Sequence, residues 1–109
     1  MARENAEALL VFCSFPERET AQAVADTLVR EQLAACVQIS APITSTYRWQ
    51  GNICHDTEVA MQIKCQRHSY DELAQRLVAL HPYEVPELLA VAVSDGLPAY
   101  LDWIKDNTK

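Results

Sequence analysis

The chain has 109 residues, half of them hydrophobic and 22% charged, which is enough apolar material for one packed core and too much for a disordered chain. Nine Lys and Arg against fifteen Asp and Glu leave a formal net charge of −6, which argues against the basic surface that nucleic-acid binding needs. Cationic or neutral partners suit that balance better. No apolar run approaches the roughly 20 residues that span a bilayer, so no membrane partner is expected. The polar start, Met1 to Glu7, lacks the form of a signal peptide, so a cytoplasmic location is expected. Residues 1–7 read as a disordered extension of a single domain over 1–109. Cys13, Cys36, Cys54 and Cys65 form no CxxC pair, so neither a zinc knuckle nor a dithiol motif is written here, and free thiols are expected.

Ala8 to Ser14 is a short apolar run, the pattern of a strand covered on both faces. Pro16, Glu17 and Glu19 then open a helix over about Glu17 to Glu31, with Ala21, Val24, Ala25, Leu28 and Val29 on its apolar side. Cys36 to Ile39 returns to a strand pattern, Pro42 interrupts it, and Thr44 to Trp49 resumes with β-branched and aromatic residues. Gln50-Gly51-Asn52 predicts a tight turn. Thr57 to Cys65 alternates, with Val59, Met61, Ile63 and Cys65 on one side. Ser69-Tyr70-Asp71-Glu72 has the form of a capping box ahead of a second helix, which should stop at His81 because Pro82 follows. Leu88 to Val93 predicts a fourth strand, and Pro98 opens a tail in which Leu101 and Ile104 suit a short helix.

This order is that of the split βαβ, or ferredoxin-like, α+β fold, with both helices on one face of a mostly antiparallel sheet. At about 3.3 Å per residue, strands from Cys36 out to the turn and back to Cys65 reach roughly 40 Å, whereas a 15-residue helix covers only about 22 Å. The hairpin must overhang its own helices. A ribbon carrying Tyr47, Trp49 and Ile53 with open strand edges is usually covered by another chain, so a homo-oligomer is expected.

Chemistry can be read largely by exclusion. The third strand lacks the aromatics on which RNA-recognition sheets stack bases. The first loop, Cys13-Ser14-Phe15-Pro16, lacks the CxxC of copper chaperones, and Arg18 in the acylphosphatase position is flanked by Glu17 and Glu19. No Ser-His-Asp order, HExxH or Gly-rich phosphate loop is present, so no catalysis is expected. Four thiols and the imidazoles of His55, His68 and His81 remain as metal donors.

Leu33-Ala34-Ala35-Cys36-Val37, Tyr47-Arg48-Trp49-Gln50-Gly51, Glu58-Val59-Ala60-Met61 with Lys64, and His81-Pro82-Tyr83-Glu84-Val85-Pro86-Glu87-Leu88 together resemble the family of the divalent-cation tolerance protein CutA. The resemblance runs from Leu10 to Trp103. It implies a homotrimer of ferredoxin-like, PII-like subunits, a cytoplasmic location, and a role in tolerance of copper and other heavy metals. It also implies copper ion as the bound group, with Cys13 and His81 as metal ligands, although the family's His-His pair is Leu80-His81 here. Cys13 reads equally as a small buried hydrophobe, and His81 as the charged end of a helix. Tyr47, Trp49, Glu58, Lys64, Tyr83, Glu84 and Glu87 are candidates for an inter-subunit pocket that takes a small anionic or zwitterionic effector. Alternatively, the aromatics hold an interface and Lys64 pairs with Glu58 or Glu87.

Overall fold

Alternating apolar residues make β1 (Ala8–Phe15) and β3 (Asn52–Gln66) the centre of the sheet in the computed structural model, which describes residues 7–109. Around them lie α1 (Arg18–Arg30), β2 (Cys36–Trp49), α2 (Tyr70–Leu80), β4 (Leu89–Ala92) and α3 (Pro98–Asp106), with a 3-10 turn at Arg67–Ser69. The extension expected over residues 1–7 lies, apart from Glu7, outside the described residues. The strand order is β2-β3-β1-β4 and the neighbouring strands are antiparallel, the ferredoxin-like arrangement.

The register Leu9 to Cys65, Val11 to Ile63, Cys13 to Met61 and Phe15 to Val59 sets eight apolar side chains on one face of the sheet. Ala21, Val24, Ala25 and Leu28 of α1, with Leu73 and Leu77 of α2, close over that face. Each large aliphatic side chain removed from water here contributes about 1.5–3 kcal/mol. Val29 and Val78, expected on the apolar stripes, are exposed at their margins.

α1 ends without a glycine. Gln32 takes a φ of 61°, and the amides of Gln32 and Leu33 bond the carbonyls of Val29 and Leu28, a Schellman closure that seats Leu33 in the core. The capping box expected at Ser69 does not form. The Ser69 hydroxyl instead donates to the Lys109 carbonyl at 3.1 Å, which the His68 ring also approaches at 2.8 Å. α3 lies on the face opposite the other two helices, where Gln66 Nε2 donates to Thr108 Oγ1 at 2.5 Å. Among the described residues no helix is long and apolar enough to cross a membrane.

The hairpin is longer than its sequence pattern indicates. β2 continues through Pro42 by means of a bulge: Ile39 faces Met61 and Pro42 faces Val59, so β2 uses one residue more than β3 over this stretch. The Ser40 hydroxyl accepts the Ala60 amide at 2.8 Å and so absorbs a donor that the bulge leaves free. Because side chains alternate with period two, the extra residue reverses the sense of β2. Val37 and Ile39 point toward the helices, whereas Ile43, Ser45, Tyr47 and Trp49 fall on the opposite face with Glu58 and Asp56. At the tip Gln50 and Gly51 both have positive φ, 50° and 82°, the signature of a type I′ turn. The long axis of the chain is 44 Å, consistent with a ribbon that outruns its helices.

Candidate functional site

β4 determines where the site can form. It pairs with β1 only from Leu9 to Phe12, so among the described residues Cys13 to Phe15 have β3 on one side and no strand on the other. The chain leaving α2 fills that gap. His81, in extended conformation at the helix end, is buried and stacks on Phe15 with ring centroids 4.3 Å apart. Its Nδ1 accepts the Tyr83 amide at 3.0 Å, which assigns the ring proton to Nε2, and Nε2 donates to the Ser14 carbonyl at 2.7 Å. A ring engaged at both nitrogens in this way is neutral and fixed in orientation.

The Cys13 thiol meets the same carbonyl, with Sγ 3.7 Å from the Ser14 oxygen. Sulfur and imidazole are therefore no farther apart than the sum of those two distances. Burial pushes the Cys13 thiol from 9.0 to about 12; the bond to Ser14 opposes this, and the Glu87 and Glu58 carboxylates add to it. The resting group is a thiol, not the thiolate that ligates metals. Among the described residues no three His, Cys, Asp or Glu side chains converge to hold a metal ion. This donor set does not fit a four-coordinate zinc or copper(II) site. Two such donors would match only the lower demand of copper(I), and only with the thiol deprotonated and the His81 ring proton moved from Nε2 to Nδ1, at the cost of the bonds to Ser14 and Tyr83.

On the face of the sheet away from α1 and α2, the hairpin and the segment 82–87 enclose a hollow of about 700 Å³. It gathers Tyr47, Trp49, Glu58, Tyr83, Glu84 and Glu87 from the expected pocket, and adds Asp56, which that expectation omitted. The Tyr83 hydroxyl donates to Glu58 Oε2 at 2.6 Å, and the Tyr47 hydroxyl donates to Asp56 across the ladder. Burial and the bond to Glu58 raise the Tyr83 phenol well above its ordinary value, and the bond to Asp56 raises Tyr47 to about 12. Both phenols stay protonated and act as donors that hold carboxylates in place.

Lys64 stands apart from this group. It is absent from the lining of the hollow; Nζ donates to Gln38 Oε1 at 2.9 Å and lies 5.7 Å from the centre of the Tyr100 ring. Neither ion pair weighed for it, with Glu58 or with Glu87, forms among the described residues. Asp56 was legible as a site residue only through the bulge, because without it Tyr47 would point to the other face. Cys36 and Cys54 are part-exposed, and all four cysteines are free.

A β2-β3-β1-β4 sheet with an overlong hairpin and a hollow along it defines a ferredoxin-like α+β protein built around that hairpin. The family model of the CutA1 divalent ion tolerance protein matches residues 9–107, and the chain belongs to that family. It is 43% identical to the divalent-cation tolerance protein CutA of Thermus thermophilus over 91% of this chain and 96% of that one. It is 36% identical to the chloroplastic CutA of Arabidopsis thaliana over 93% of this chain, but spans only 56% of that longer protein. The crystal structure of CutA1 from the psychrotrophic bacterium Shewanella sp. SIB1 superposes with a TM-score of 0.92 at 46% identity, covering 94% of this chain and 96% of that one.

Proposed function

We propose that this member of the divalent-cation tolerance family works as a cytoplasmic homotrimer that binds copper or similar ions and turns over no substrate, with Cys13 and His81 as the donors. The observation that carries the metal site is the meeting of thiol and imidazole on the single Ser14 carbonyl. Binding there would cost three hydrogen bonds, those from the thiol and from Nε2 to Ser14 and that from the Tyr83 amide to Nδ1, since the Nε2 proton would pass to Nδ1; the thiol proton would be released, so affinity should rise with pH. Free cysteines fit a reducing compartment. Self-association is supported by the exposed Ile43, Tyr47, Trp49 and Ile53 on the overhanging ribbon and by β2 and β4 at the two edges of the sheet. Anaerobic titration with copper(I) against a chromophoric competitor tests the site. Cys13→Ala and His81→Ala should each abolish the tight equivalent, and unchanged stoichiometry in both variants removes these residues from metal binding.

A second reading is a PII-like regulatory module with a small effector in inter-subunit clefts. The hollow favours it, since about 700 Å³ lies in the size range of small-ligand sites. With Lys64 turned toward Tyr100, the hollow of one chain offers an anionic effector no lysine of its own.

A further inference from the structure

The charge of the hollow is one-sided. Asp56, Glu58, Glu84 and Glu87 line it, and among the described residues no lysine or arginine does. Glu58 is the decisive member. It is 7% exposed, yet among the described residues its hydrogen bond from Tyr83 Oη is joined by no ion pair. A carboxylate withdrawn from water without a countercharge is costly, and that cost is relieved when a cation enters. The carboxylates lie on two separate segments, the hairpin and 84–87, and do not converge tightly enough to chelate a point ion. Between them stand three aromatic rings, Tyr47, Trp49 and Tyr83. Two of these, Tyr47 and Tyr83, have hydroxyls committed to carboxylates, so their remaining surface is ring face and edge. Ring faces with dispersed carboxylates suit a large, weakly hydrated cation better than a small hard one.

We infer that this hollow binds a small organic cation, a protonated amine or quaternary ammonium, with its charge held by Glu58 and its alkyl groups against Tyr47, Trp49 and Tyr83. The inference deepens the second reading above and rests on it. The bulge before Pro42 is what makes the site possible, because it turns Tyr47 and Trp49 onto the face that carries Glu58.

The test is calorimetric titration of the full, untagged chain with tetramethylammonium and with 1,4-diaminobutane, at matched ionic strength, beside magnesium chloride and sodium glutarate. Saturable binding of an organic cation is expected, with Glu58→Gln and Trp49→Ala each weakening it about tenfold or more. Glu58→Gln keeps an acceptor for Tyr83, and Trp49 is already half exposed, so both variants should fold. Circular dichroism and sedimentation on each variant check this. Binding that is indifferent to both substitutions overturns the proposal. Glutarate binding in place of the cations overturns the cation assignment and leaves the hollow as a ligand site. If no probe binds and Glu58→Gln alters the assembly, the hollow is a contact between copies, and both the proposal and the reading beneath it fail. Silence from every probe with an unchanged assembly overturns both as well.

Discussion

β3 passes through two environments within fifteen residues. From Glu58 to Gln66 most of it is buried, under α1 and α2 on one face or at the centre of the sheet; from Asn52 to Thr57 most of it is exposed. The ladder to β2 continues through both halves. The inner half is specified by what covers it, since a slip of one residue would expose Val59, Met61, Ile63 and Cys65 together. The outer half is specified by a turn and a bulge, and it carries Tyr47, Trp49 and Asp56 of the hollow. Burial is concentrated in one half of the hairpin and exposed aromatic surface in the other.

The largest expected effect lies in the inner half. Leu77→Ala, at a fully buried position under the sheet, should cost about 2–5 kcal/mol in urea unfolding. A loss below 1 kcal/mol would show that the core is not where the fold is held. At the boundary, Tyr83→Phe removes the sole hydrogen-bond donor to Glu58 among the described residues and should cost about 1–2 kcal/mol by the same assay. In the outer half the sign reverses. Gln50→Asn should raise stability by about 0.5–1 kcal/mol, because asparagine tolerates the positive φ of the turn better than glutamine does.

The thiols give the smallest effect at neutral pH and a graded one above it. Cys13 and Cys65 are raised from 9.0 to about 12 and about 11, in both cases chiefly by burial. Unfolded thiols ionise first as pH rises, so this contribution is complete below about pH 9 and is lost through the window from 9 to about 11–12. Thermal unfolding scans from pH 7 to 11 should show the decline, and Cys13→Ala should flatten it. In the native protein at pH 8, a thiol reagent should label Cys36 and Cys54 long before Cys13 and Cys65.

Local pattern made most of the fold readable. The alternation of β3 and the spacing of Leu73 and Leu77 identify their buried faces unaided, and strand length alone indicates the overhang. The differences arise where a distant residue takes a group that local rules had assigned. Ser69 bonds the Lys109 carbonyl in place of its own helix, and Lys64 turns to Gln38 and Tyr100. β4 is shorter than Leu88 to Val93 and pairs with β1 only up to Phe12, which opens the Ser14 carbonyl to Cys13 and His81. Pro42 reads as an interruption in the sequence; in the sheet it marks the bulge that decides which face Tyr47 and Trp49 occupy.

Sedimentation velocity of the untagged chain at micromolar concentration tests the claim that the outer half of the hairpin exists to be shared between copies. A single species of three times the 12.2 kDa chain mass is the result the account predicts. A folded particle of one chain mass, with its hairpin in water, would contradict it.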